Sequence, residues 1–147
     1  MDVDKMLITI KILTLVIMLL VAYEDIKKKE ISMKAIIVCG LLALLSTGIR
    51  FYMGEGLPDS FLSLLPGAIM LIIGRITREE VGYGDGLILM AVGPVFGLEH
   101  VILGCFAGLF VTNILSIFIL VCRKGNRKTQ IAFVPFLTLG MGVMMFA

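Results

Sequence analysis

Two aspartates stand at the edges of apolar stretches. Asp25 closes one near the N-terminus, and Asp85, in Gly82-Tyr83-Gly84-Asp85, opens another. If both stretches cross a membrane in the right sense, the two carboxylates share one water boundary. A pair of carboxyls is the minimum equipment for hydrolysing a peptide bond without metal or covalent intermediate, because one, ionised, activates water while the other donates a proton. Each residue also has a plainer reading. Asp85 fits a helix N-cap in a Gly-rich turn, and Asp25 fits a solvated acid paired at helical spacing with Lys28 or Lys29, a contact worth little when exposed. The conjunction of both on one expected face is what favours chemistry.

The elements that must position them are apolar. Of 147 residues, 59% are apolar and only 16% charged, against roughly 25% charged in soluble domains; the mean hydropathy is +1.07. At about 20 residues per span, the stretches 6–22, 33–53, 61–74, 86–98, 101–122 and 131–147 predict an all-α polytopic membrane protein with about six transmembrane helices. The third and fourth are short, either half-spans or spans extended by uncharged flanks around Gly82. The first runs into Lys27-Lys28-Lys29 with no small-residue cleavage site behind it, which favours a retained span over a signal peptide. No internal repeat, low-complexity segment or soluble portion interrupts residues 1–147, so the chain reads as a single membrane-embedded domain.

Charge orients these spans. Of 13 basic residues, ten fall in alternate loops: Lys27, Lys28, Lys29 and Lys34, then Arg75 and Arg78, then Arg123, Lys124, Arg127 and Lys128. The positive-inside rule puts those loops in the cytoplasm and both termini outside. Asp25 begins the first of these loops and Asp85 ends the second, so both carboxylates are expected at the cytoplasmic face of the cell membrane.

Several chemistries lack their residues. Cys39, Cys105 and Cys122 form no Cys-x-x-Cys, and His100, the sole histidine, belongs to no His-Glu-x-x-His. Zinc ribbon, disulfide framework and zinc protease readings therefore fall away. The sequence contains neither Gly-x-Ser-x-Gly nor a Gly-rich phosphate-binding Lys motif, which removes serine hydrolase and nucleotide readings. No metal, no cofactor and no nucleic-acid partner is expected. In Glu79-Glu80-Val81-Gly82-Tyr83-Gly84-Asp85-Gly86, the alternate glycines Gly82, Gly84 and Gly86 predict a non-helical approach to the site that lets a second backbone come close. The basic clusters read as topology anchors that also meet anionic lipid. Asn113 reads as a contact across helices.

In this order the residues resemble the short form of the type IV prepilin peptidase family. Asp25 at the end of a span precedes a basic stretch and Ile31-Ser32-Met33, where the family has Ile-Pro-Asn. Gly82 to Asp85 matches the family's Gly-x-Gly-Asp, followed by Gly93 and Gly97; Leu87 stands where many relatives carry Lys. Phe133-Val134-Pro135-Phe136-Leu137 with Gly140 is similar to the family's closing Pro-Phe and Gly segment. The resemblance implies a membrane aspartic endopeptidase with Asp25 and Asp85 catalytic. It also implies a substrate with a basic cytoplasmic leader ahead of an apolar helix; Glu79 and Glu80 read first as solvated residues and, as the alternative, as charges that steer such a leader. Larger relatives add a portion with paired Cys-x-x-Cys motifs associated with N-methylation, so cleavage without methyl transfer is expected. Helix polarity assigns Asp85, at a helix N-terminus, as the resting base and Asp25, at a C-terminus, as the acid, although coupled carboxyls titrate as a pair. Two rivals remain. A presenilin-like intramembrane protease also uses Gly-x-Gly-Asp but is normally larger, and a small ion or proton transporter would carry its carboxylates deep within the spans. Neither the particular pilin nor the oligomeric state is written in the sequence.

The charge asymmetry makes a direct prediction. In a background without native cysteines, cysteines placed near Lys28 and Arg127 should react with a membrane-impermeant thiol reagent only from the cytoplasmic side, and those in the 54–59 loop only from outside. The reverse pattern removes a cytoplasmic site.

Overall fold

The computed structural model describes residues 2–28, 31–54, 57–77, 82–122 and 131–146. They form seven helical segments: α1 (Val3–Lys28), α2 (Met33–Tyr52), α3 (Leu57–Leu62), α4 (Leu65–Ile76), α5 (Tyr83–Phe96), α6 (Leu98–Val121) and α7 (Val134–Phe146). α1, α2, α6 and the combined Leu57–Ile76 segment are each long and apolar enough to cross a bilayer, whereas α5 and α7 are shorter. The chain is an all-helical polytopic membrane protein, and the six expected stretches are all present.

Two boundaries differ from the sequence reading for identifiable reasons. The third span is broken between α3 and α4. Pro66 begins α4 at its first turn, where a missing N–H costs nothing, but it cannot continue a helix arriving from α3. The break is closed locally: the Ser63 hydroxyl donates to the Ser60 carbonyl at 2.7 Å and the Ser63 N–H to Asp59 at 2.9 Å. Between α5 and α6 the turn is a single residue, Gly97, with φ +88°, a backbone region that L side chains rarely adopt. Glu99 and His100, expected in that turn, instead lie in the first turn of α6.

α5 is the hub. Gly86, Ile88, Leu89, Val92, Gly93, Pro94, Val95 and Phe96 are all buried, the pattern of a helix surrounded by other helices. It packs on α1, α2, α3, α4 and α6, while α7 packs on α6 and α1. At 1.5 Å per residue its 14 residues reach only about 21 Å, short of the roughly 30 Å hydrocarbon core. Its end away from Asp85 is tied down. Arg50, near the end of α2, donates from Nη2 to the Val95 carbonyl at 3.3 Å and lies 3.8 Å from Asp59, placing a cation at the negative end of α5.

Between helices in lipid there is little hydrophobic drive, so close contact depends on small residues. A side chain at Gly67 of α4 meets the backbone of Met90 on α5, and one at Gly93 of α5 meets the Ser63 carbonyl. On the other side Gly104 and Gly108 of α6 face Met141 and Leu137 of α7, and a Cβ on Gly140 falls 2.7 Å from the Gly104 carbonyl oxygen. Asn113 does not bridge helices as expected; its amide donates to Leu109 of its own helix at 2.8 Å, because α6 is exposed there.

These contacts separate glycines that pack from those that do not. Gly67→Val and Gly140→Val should each destabilise by about 1–3 kcal/mol, the usual cost of overpacking, because backbone atoms rather than flexible side-chain tips stand in the way. Gly40→Ala, with nothing within 4 Å, should be neutral or stabilising by up to about 1 kcal/mol. Thermal or chemical denaturation in detergent reads the difference, and equal losses at all three positions would contradict the packing described.

Candidate active site

Asp25 occupies the last turn of α1 and Asp85 the first turn of α5. α1 and α5 pack on one another, and Ile31, just beyond the end of α1, lies against Gly84 beside Asp85. The two expected carboxyls are therefore brought to one end of the bundle from positions 60 residues apart. Asp25 is only 6% exposed, and Asp85 is half-buried.

The solvated reading of Asp25 does not hold. Lys28 makes no ion pair with it, the described ion pairs being Lys5 with Asp2 and Arg50 with Asp59, and Lys27 lies over the Tyr23 ring at 5.0 Å. What holds Asp25 is α7: the Val134 N–H donates to its Oδ2 at 3.3 Å. That N–H is the first of its helix and has no intrahelical acceptor. Pro135 follows with no N–H to offer, and the Phe136 and Leu137 N–H groups both return to the Phe133 carbonyl at 3.0 Å. The segment Phe133-Val134-Pro135 thus delivers one backbone donor to the carboxylate. Sequence reasoning marked this segment only by resemblance; its signal was a proline at the second position of an apolar helix.

This contact also changes the balance between the two acids. Asp25 sits at the C-terminal end of α1, which disfavours its anion, but equally at the N-terminal end of α7, which favours it. The polarity argument that made Asp85 the base and Asp25 the acid is therefore weaker at Asp25, where two helix ends oppose each other, than at Asp85, which has only the N-terminal end of α5.

The Gly-rich motif is built differently from the expected non-helical run. Only Gly82 lies ahead of α5, as its N-cap, its carbonyl accepting from the Asp85 and Gly86 N–H groups at 3.1 and 3.4 Å. Gly84, Asp85 and Gly86 are already helical. None of the three glycines has positive φ, which among the described residues is confined to Gly54 and Gly97. Each instead answers a close approach. The Asp85 carboxylate folds back over Gly82, Ile31 packs on Gly84, and Leu71 of α4 packs on Gly86, where an added Cβ falls 3.0 Å from it. Nor is Asp85 itself the cap; that place is taken by Gly82 without a side-chain bond. Glu79 and Glu80 lie outside the described residues, as do Lys29, Arg78 and the basic segment 123–130. Among the described residues no three His, Cys, Asp or Glu side chains gather as a metal site.

A buried carboxyl with no ion pair among the described residues is costly to a fold, and such groups concentrate where chemistry is done. Fold and site together define a polytopic membrane protein with a paired-carboxyl centre at one end of its bundle. Residues 12–122 match the sequence model of the type IV leader peptidase family; the match includes both Asp25 and Asp85, and the chain belongs to that family. It is accordingly a peptidase. No curated protein and no solved structure matches the chain.

The fold-back of Asp85 over Gly82 yields a prediction. Backbone angles of φ −56° and ψ 108° at Gly82 suit any residue, so Gly82→Ala should leave the melting temperature unchanged. Its methyl group must push the Asp85 carboxylate aside. Leader cleavage should then fall on the order of 10–100-fold, the scale of an ångström misplacement of a reacting group. Full activity would show that the carboxylate does not work from this position.

Proposed function

We propose that this peptidase is an aspartic endopeptidase that removes the basic leader of prepilin-like proteins at the cytoplasmic face of the cell membrane. The observation that carries the proposal is that Asp25, in the last turn of α1, and Asp85, in the first turn of α5, stand at the same end of two packed helices inside the family-matched region. The ionised member of the pair takes a proton from water as the oxygen adds to the scissile carbonyl carbon, and the protonated member gives its proton to the carbonyl oxygen. Collapse of the tetrahedral diol sends a proton through the pair to the leaving amine. The Val134 N–H orients one carboxyl, and the missing side chain at Gly82 leaves room for the other.

The face is argued from the ten basic residues in alternate loops, which orient the aspartate end inward and both termini outward. Glu79 and Glu80, immediately before the motif, offer negative charge to a basic leader. Since a carboxyl pair alone suffices for hydrolysis, the proposed reaction needs no cofactor, and it ends at cleavage without methyl transfer.

Purified protein in lipid nanodiscs with a prepilin-like substrate tests this reading. Asp25→Asn and Asp85→Asn should each reduce cleavage by a factor on the order of 10²–10⁴ or to background, with the fold intact, because an amide neither activates water nor supplies the proton. Asp59→Asn should be tolerated, its 3.8 Å pairing with Arg50 being half-exposed and worth little. Chelators should leave cleavage intact, and mass spectrometry should find a free, unmethylated product N-terminus. Full activity of either active-site variant, or inhibition restored specifically by zinc, would overturn the mechanism.

A further inference from the structure

A groove of about 540 Å³ runs between α1 and α7, walled by Leu15 and Leu19 on one side and by Leu139, Gly142, Val143 and Phe146 on the other. Gly142 keeps its floor low: a Cβ there comes only within ordinary contact of Leu15. Leu19, Leu139, Val143 and Phe146 are all exposed, so the groove opens sideways, toward where the bilayer lies. Its upper end is joined to the acid pair. Thr138, which also lines it, donates to the Val134 carbonyl at 2.8 Å and reaches Met18 at 3.5 Å, while the Val134 N–H holds Asp25.

We infer that this groove seats the apolar helix of the substrate just beyond the scissile bond, an inference that rests on the peptidase reading above. Continuity and length commit the groove to that occupant. Leu19 and Leu15 lie six and ten residues from Asp25, and Phe146 lies twelve from Val134. At 1.5 Å per residue the groove extends from about 9 to about 18 Å from the carboxyls. A helix leaving the site along it places roughly its sixth to twelfth residues against these walls. An almost wholly apolar lining matches such a helix, whereas the smaller groove between α1 and α2 carries Glu24, Ser32 and Lys34 and suits a polar chain.

Two substrates separate the groove from the chemistry: a synthetic one with a basic leader and an apolar helix of about 20 residues, and a soluble peptide ending shortly after the scissile bond. Gly142→Leu and Val143→Trp fill the groove. They should lower kcat/KM at least about tenfold for the helical substrate, mainly through KM, and leave the short peptide unaffected. Photo-crosslinkers at Leu19 and Val143 should capture the sixth to twelfth residues after the bond; crosslinks from Leu20 and Val38 of the other groove, or none beyond lipid, would overturn the inference. Unchanged cleavage of the helical substrate by both variants would overturn it as well. If a variant loses both substrates, the crosslinks in the wild-type protein decide. Failure of the wild-type protein to cut either substrate would instead overturn the endopeptidase proposal itself.

Discussion

Close backbone approach to α5 is the constraint on which the rest of the structure depends. A helix of 14 residues is too short to be held by the bilayer at both ends, and in lipid its apolar side chains gain little by leaving the tails for a neighbouring helix. Its position must come from shape. Gly67 against Met90, Gly93 against Ser63 and Gly86 against Leu71 bring α4 and the α3–α4 break against its flanks. Arg50 closes its far end on the Val95 carbonyl. With α5 fixed in depth and rotation, Asp85 in its first turn is fixed too, and the 3.8 Å approach of Asp59 to Arg50 belongs to the same tether rather than to the chemistry.

The carboxyls impose the opposing demand. Asp25 is nearly enclosed, and among the described residues it has no ion pair, an arrangement that lowers stability and that an apolar residue would avoid. Among those residues a directed backbone donor faces it instead. In the proposed mechanism a lysine or arginine here would favour the ionised form of Asp25 and oppose a proton shared with Asp85, whereas one backbone N–H from α7 orients the carboxylate and leaves that proton free to move. The Thr138 hydroxyl, bonded to Val134 and reaching α1 at Met18, stiffens the turn that carries the donor. The helix that carries the donor is itself packed closely on α6, where Gly104, Gly108 and Gly140 allow near-backbone contact.

What the sequence disclosed divides along physical lines. Hydropathy gave the number and order of the spans because transfer to lipid is a local property of each stretch. The two aspartates were visible because charged residues beside apolar runs are conspicuous. Contacts across helices were not visible. Nothing local says that the N–H of Val134 lies beside residue 25, or that Gly82 serves the Asp85 carboxylate rather than a positive φ. The broken third span was overlooked although Pro66 announced it, since hydropathy counts proline's neighbours and ignores its missing donor. Asn113 was assigned across helices because a polar side chain in lipid needs a partner; the nearest one, the carbonyl a turn earlier, was available without any second helix.

The placement of α7 joins these arguments. α7 lies beyond the family-matched residues 12–122, yet it supplies the donor to Asp25. It does so from its first turn, where an unpaired N–H exists only because a helix begins there. Moving that start by one residue would put the nitrogen of Pro135, which carries no hydrogen, where the donor now stands. The proline therefore does two things: it favours initiation of α7 at this point, and it leaves Val134 as the one N–H in the first two positions. Along the same helix, four residues on, Thr138 faces back to α1, and beyond it Gly142 opens the lipid-facing groove. A single short helix thus sets the orientation of one acid and walls the path that leads away from it. This explains why a segment with no titratable side chain of its own is tied to the centre.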